Sequence, residues 1–495
     1  MLGTKALQGT RLSMGIASCA GYAFMLFGYD QGVFGSILGN DNFVKTFNHP
    51  SAIVEGQITA TYDLGCFFGA LAGMYFGATL GRVRALYWGC SILIVGAVLQ
   101  TSAFSIAQMI VGRFVAGVGN GLNTCIVPVW LSETVKPGIR GRLITLALVL
   151  NQVGNVQAQW LNFGMSYIPT QAVSWRFPLA YQMFFALVTM AMLPWVVESP
   201  RWLIQKDRHG EARTVISRLL AEENDSQEVE SMYRAITEAM KHENEESSRS
   251  WHILLQSDSL HSRRRVILGA GTQFMQQWGG INVINYYLPV VFGSLGVSRR
   301  LALILSGCNV INLMFSSAVG GLFIDRYGRV PLMFWGALVQ ALCFAFVGIG
   351  LSQGGFEWSA VAVAFVFGYF TTFGVTWIAV PWAYPAEVNT QRMRTTGAAI
   401  ATATNWMNNY VVVLVTPVAI QNIQWRFYIL FAALNLAFAP IVWFFYVETK
   451  NVTLEAIDAI FEQQSGHSPV ARFSHETHVH GEKVGTEDVS MVEKV

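Results

Sequence analysis

Charge is what this sequence has least of. Only 13% of its 495 residues are charged and 53% are apolar, against roughly 25% charged in an ordinary soluble domain, which excludes a freely soluble globular chain. Mean hydropathy is +0.41. Cysteine is scarce too, and all six (Cys19, Cys66, Cys90, Cys125, Cys308, Cys343) sit inside apolar runs, so no external disulfide framework is expected. No nucleophile and base cluster and no metal-ligand spacing occurs outside the C-terminal tail, which argues against an enzyme. No cofactor, resident metal or nucleic-acid partner is expected. No N-terminal block carries a cleavage site, so the first apolar segment is expected to stay.

What is present is a series of apolar blocks, each long enough to cross a bilayer once it reaches roughly 18 residues. Twelve are counted, with cores at 14–37, 57–79, 85–105, 108–131, 143–163, 177–197, 265–292, 301–324, 331–352, 358–383, 395–417 and 426–446. Lys5, Arg11, Arg82, Arg84, Lys136, Arg140, Arg142, Arg201, Arg263 to Arg265, Arg326, Arg329, Arg392, Arg394 and Lys450 fall at the N-terminus or in alternate loops. The opposite loops carry only Lys45, Arg176, Arg299, Arg300 and Arg426. The positive-inside bias places both termini and the central segment in the cytosol and predicts a multi-pass protein, expected in the plasma membrane. The sequons at Asn224 and Asn451 then lie on the cytosolic side, unmodified.

The chain divides into a first bundle of six helices (1–203), a charged helical linker (204–260), a second bundle of six (261–450) and a C-terminal tail (451–495), largely disordered and cytosolic. The bundles repeat each other. "GATLGRVRALYWG" from 77 matches "IDRYGRVPLMFWG" from 324, Glu133 and Arg140 match Glu387 and Arg394, and "ESPR" at Glu198 matches "ETKN" at Glu448. Three pairs in order at one spacing, about 250 residues, indicate a tandem duplication, and two like bundles facing a central site are a transporter architecture. In the tail, His475, His478 and His480 offer a weak metal site, against which a solvated tail is the simpler reading.

Asp30 interrupts the first block. A carboxylate there costs about 2.5–3.5 kcal/mol, so it needs a partner, and Arg113 is the one basic residue deep in an apolar block of the first half. A buried pair of this kind works either as a proton switch or as a static tie between the first and fourth helices. Asp63, near the outer end of the second helix, reads as a headgroup-level residue rather than a second proton site. Glu133, Arg140 and Glu198, with Glu387, Arg394 and Glu448, fall at cytosolic helix ends, where pairing would hold that face shut and break when it opens.

"GYDQGVFG", "GRFVAGVGNG", "PVWLSE" with "RGR", "ESPRWL", "QQWGGINVINYY", "DRYGRV", "PWAYPAE" with "RMR", and "VETK" together resemble the sugar porter family of the major facilitator superfamily, and its fungal proton-coupled members most. The resemblance covers roughly residues 11–460. It implies an all-α membrane protein of twelve helices in two six-helix pseudo-repeats (the major facilitator fold), with sugar and proton as partners in the bilayer. It implies that Asp30 and Arg113 couple proton entry to transport, and that Arg82, Asp325 and Arg329 join the cytosolic gate. Ala78 stands where the first half usually has the gate Asp, and Val83 and Val330 where a second Arg is usual.

A sugar needs amides, which donate and accept at once, beside an aromatic platform. Gln273, Gln276 and Gln277 share a face of the seventh helix, and Gly279–Gly280 permit unwinding that turns Asn282 inward, with Tyr286 and Tyr287 following. The resemblance assigns sugar contacts to Gln276, Gln277, Asn282 and Asn312, and the aromatic wall to Trp382 and Trp406. On the fifth helix Asn151, Gln152, Asn155, Gln159 and Asn162 form one stripe about 100° wide. Leu148 lies on that stripe where the family has a sugar-binding Gln, and Asn405 replaces a common Gln on the eleventh helix. The expected function is import of a hexose, pentose, disaccharide or polyol with a proton by alternating access. A sugar sensor with little transport and an uncoupled facilitator remain open.

Overall fold

The structure is a computed structural model that describes residues 7–134, 137–247, 260–390, 393–450, 452, 457 and 460–461, without the side chains of 137–145, 239, 241–247 and 395. The predicted tail histidines and Asn451 lie outside the described residues, as does the side chain of Arg140. Among the described residues the regular elements are helices and no strand occurs. The first half contains α1 (Gly9–Leu38), α2 (Ala52–Leu80), α3 (Arg82–Thr101), α4 (Ile106–Thr134), α5 (Pro137–Met165) and α6 (Val173–Met192). The second contains α7 in two segments (Ser262–Trp278 and Ile281–Ser294), α8 (Arg299–Tyr327), α9 (Arg329–Gln353), α10 in two segments (Phe356–Thr376 and Val380–Val388), α11 (Arg394–Ile423) and α12 (Trp425–Phe445). These described helices form two related sets of six, the arrangement of the major facilitator fold.

Among the described residues nine helices are long and apolar enough to cross a membrane by composition, and α5, α7 and α11 are not among them. Clustered amides lower the hydropathy of α5 and α11, while α7 is broken into segments of 17 and 14 residues, each too short to cross alone. The break in α7 falls at Gly280, whose φ of +93° lies in the left-handed region. A side chain at 280 would also run into the rings of Phe344 and Phe431.

Within each half small residues bring helices together. Gly117 and Gly121 of α4 lie against the carbonyls of Tyr62 and Cys66 on α2, with no space for a Cβ. The halves meet where α2 packs on α11, α5 on α8, and α1 on the second segment of α7. Because α2 corresponds to α8 and α5 to α11 in the duplication, the first two contacts exchange under the internal two-fold, which leaves a space on the axis.

Helices Pro200–Gln205, His209–Leu220 and Gln227–Ser247 cover one end. Trp202, Leu203, Val215 and Leu219 share an apolar cluster with Leu12, Ile16 and Trp130, docking this linker onto the first half. That end is called the linker face below, and its opposite the far face.

Candidate functional site

The space on the axis is a cavity of about 1450 Å³. Its mouth, at the linker face, is bordered by Arg82, Glu133, Arg201, Asp325, Arg329, Glu387 and Arg394. Deeper walls come from both halves: Phe27, Gln31, Leu148, Asn151 and Gln152 from the first, and Gln276, Gln277, Asn282, Asn285, Trp382, Asn405 and Asn409 from the second.

The amides are cross-linked rather than independent. Asn405 donates to Gln276 Oε1 (3.1 Å) and to Gln273 Oε1 (2.5 Å), while Gln276 Nε2 donates to the Trp377 carbonyl (2.7 Å). Asn282 Nδ2 donates to Gln277 Oε1 and to Asn409 Oδ1, both at 2.7 Å. These bonds fix the rotamers, as a preorganised polar site requires. Gln152 Oε1 on the α5 wall is buried without a hydrogen-bond partner, an acceptor for a ligand hydroxyl group, while Asn155 Oδ1 on α5 and Trp406 Nε1 on α11 are unpaired outside the lining.

Seven of the ten expected substrate residues line this cavity: Gln276, Gln277, Asn282, Trp382, Asn405, Asn151 and Gln152. Trp406 stands behind the wall, edge-on to Phe27 at 5.4 Å. Asn312 is turned away, bonded to the Phe367 carbonyl (3.1 Å) and Thr371 (3.0 Å) of α10, because it lies about 100° around α8 from Leu313, which does face the cavity. Tyr286 sits one turn beyond Asn282, past the closed end. The amide stripe of α5 divides the same way: Asn151 and Gln152 face the cavity, whereas Asn155 donates to Asn285 (3.0 Å), Gln159 to the Gly32 carbonyl (3.3 Å) and Asn162 to the Val33 carbonyl (3.0 Å). Asn409, Asn285 and Phe27 were not anticipated; i, i+4 spacing from Asn405 and i, i+3 spacing from Asn282 would have found the two amides.

The far face is sealed. Gly35 of α1 lies against the Tyr286 carbonyl with no room for a Cβ, and Arg299 pairs with Asp41 at 3.0 Å. Asp63 is wholly buried and joins this seal. It accepts at Oδ1 from Tyr286 Oη and from Asn409 Nδ2, both at 3.0 Å. Its expected place among lipid headgroups is corrected by these bonds, since α2 turns this position toward α7 and α11 rather than outward.

Asp30 and Arg113 meet at 3.4 Å, both fully buried. Arg113 also donates to the Ile58 (3.3 Å) and Thr59 (3.2 Å) carbonyls of α2 and lies over the rings of Phe34 (4.8 Å) and Tyr62 (4.4 Å).

At the linker face the duplication repeats atom by atom. Glu198 accepts from the Arg82 (2.8 Å) and Val83 (3.1 Å) amides at the start of α3, as Glu448 accepts from Arg329 and Val330 (2.9 Å each) at the start of α9, each carboxylate capping a helix N-terminus. Burial pushes the Glu198 carboxyl above its ordinary range against the pull of these N–H groups. Arg82 binds Glu133 at 2.9 Å and Arg329 binds Glu387 at 2.6 Å. Asp325 adds a 3.3 Å contact to Arg329; Ala78 gives Arg82 none. These pairs run within halves rather than across the mouth, and Arg394 keeps Nε and Nη2 buried without hydrogen-bond partners. This is the arrangement of an open linker face.

A cavity shared by two duplicated bundles, open at one end and sealed at the other, defines a secondary transporter. The family model for "Sugar (and other) transporter" matches residues 16–461, and the chain belongs to that family. It is 41% identical over 466 residues to the MFS-type transporter oryC of Aspergillus oryzae, covering 92% of this chain and 86% of the relative. It is 36% identical over 477 residues to the Sugar transporter STL1 of Saccharomyces cerevisiae, covering 92% and 82%. Its fold is similar to the inward-open xylose transporter XylE from E. coli, with a TM-score of 0.76 at 22% identity over 90% of this chain and 99% of that one.

Proposed function

We propose that the protein imports a sugar or close polyol with a proton across the plasma membrane by alternating access, with the linker face and both termini in the cytosol. The carrying observation is the polar lining of both walls, the unpaired acceptor Gln152 Oε1 of the first half sharing the cavity with the cross-linked amides Gln276, Gln277, Asn282 and Asn405 of the second. They suit a cargo with hydroxyl groups and leave the two halves to close around it. The buried Asp30 and Arg113 supply a charged pair whose neutralisation frees Arg113 from α1 while its bonds to α2 persist. Relatives named as a sugar transporter and as a proton:xylose symporter agree with this reading. Charges at the mouth would re-pair across it on closing, with Arg394 as the guanidinium awaiting a partner.

The test is uptake of a panel of labelled hexoses, pentoses, disaccharides and polyols by full-length protein in proteoliposomes, with and without an inward proton gradient. Gradient-driven accumulation that Asp30→Asn abolishes, while exchange of the same substrate persists, is the expected result. Uptake that only equilibrates in wild type identifies a facilitator, and binding without uptake identifies a sensor; either outcome refutes proton symport.

A further inference from the structure

One carboxylate remains outside this scheme. Asp63 is completely buried on α2, one residue from Tyr62, whose ring faces Arg113 at 4.4 Å. Arg113 and Asp30 both act on it electrostatically. The charged groups facing this region are Asp30 on α1, Asp63 on α2 and Arg113 on α4, while Tyr62 and Cys66 on α2 and Tyr286 and Tyr287 on α7 bring titratable groups that are neutral at physiological pH. Glu55, two turns toward the far face, is partly exposed.

With both carboxylates ionised this dry cluster carries two negative charges against one positive. Taking an uncompensated charge into a protein interior is costly, and one proton on either Asp restores neutrality. Asp30 Oδ2 and Asp63 Oδ2 are each buried and receive no hydrogen bond, so on either residue one oxygen is unoccupied and can carry the proton.

Asp63 differs from Asp30 in what it holds. Both of its donors come from the other half, and Asn409 also accepts from Asn282, which lines the cavity. One continuous series of contacts therefore runs from Arg113 through α2 to Asp63, and from Asp63 through Asn409 to the cavity wall. The bonds from Tyr286 and Asn409 tie the two halves together in this structure, where the far face is closed.

We propose that Asp63 is a second proton-carrying residue of the transport cycle, sharing one proton with Asp30 and holding the far face shut through Tyr286 and Asn409 while that proton is bound. Loss of the proton leaves a net negative charge that water must reach, so the far face opens. Proton uptake from that side closes it again over the cargo. The inference rests on the proposed proton coupling but needs no sugar to be tested.

Spin labels on Lys45→Cys and Gly293→Cys, exposed far-face positions on opposite halves, report far-face opening when Cys125 and Cys308 are replaced by Ser in the full-length protein in lipid. Pulsed electron–electron distances are measured across pH. The wild-type ratio of closed to open shifts toward closed on acidification, by up to about tenfold per pH unit for one proton. Asp63→Asn, neutral and of the same shape, removes that dependence and stays closed. Tyr286→Phe, which leaves the charges in place, keeps the dependence but moves the ratio about tenfold toward open, and serves if Asp63→Asn does not fold. An Asp63→Asn protein that follows the wild-type pH curve, or a Tyr286→Phe protein whose ratio is unchanged, overturns the proposal. A wild type that moves no sugar yet shows the pH response, lost in Asp63→Asn, keeps the role of Asp63 and refutes the sugar reading alone.

Discussion

Replacing Leu148 by Gln tests whether the cavity reads hydroxyl groups on the α5 wall. Leu148 is half-buried on the cavity surface, one turn before Asn151 and Gln152, and it is the apolar interruption in a polar stripe. A glutamine there adds a donor and an acceptor beside Gln152 Oε1, an acceptor with nothing bound to it. A net hydrogen bond contributes about 0.5–1.5 kcal/mol, which converts to roughly 2- to 12-fold in affinity. The lower part of that range applies at this depth, because the cavity is open to the linker face and water competes for both groups. The measurement is KM for each hexose and polyol in the panel, with surface-expressed protein quantified. A fall of about 2- to 5-fold for at least one hydroxyl-rich substrate, with kcat little changed, is expected, since a contact made equally in ground and transition states alters KM alone. A well-folded Leu148→Gln protein with unchanged KM throughout would show that the α5 wall does not touch the cargo.

Gly35→Ala places a methyl group against the Tyr286 carbonyl, so the far face cannot close fully; the Lys45/Gly293 label pair should report an open far face at every pH, and uptake should fall at least tenfold. Glu198→Ala and Glu448→Ala each strip the cap from a helix N-terminus, at a cost of about 1–2 kcal/mol. Both should lower the melting temperature of the purified protein by similar amounts, because their bonds are the same. A large difference between them, or no change in either, counts against equivalent caps.

Most of the architecture was legible because a membrane chain cannot hide its polarity. Blocks of twenty apolar residues gave the helices, and charges excluded from the bilayer recur at matching helix ends, which exposed the duplication before any contact was known. The amides of α5 and α7 were legible for the same reason: among lipid-compatible residues each one needs a partner. Depth was not legible. Tyr286 does share a helix face with Asn282, as i, i+4 spacing predicts, but one turn carries it past the end of the cavity and onto Asp63. Direction failed for Asn312, where one step around α8 exchanges the cavity for α10.

Asp63 shows why such errors concentrate between the halves. Sequence periodicity reports which face of a helix avoids lipid, but what that face meets depends on how two bundles are tilted, and in a transporter that tilt is the variable. The bonds from Tyr286 and Asn409 belong to the state sealed at the far face. Pairs within a half, such as Arg82 with Glu133, are internal to a bundle that moves as a unit and recur in its duplicate. The internal pairs are therefore the ones a repeat can disclose. The contacts between the halves lie across the pseudo-axis, and although α2 on α11 has its counterpart in α5 on α8, the Asp63 carboxylate that joins Tyr286 and Asn409 has no matching acid on α8 to announce it.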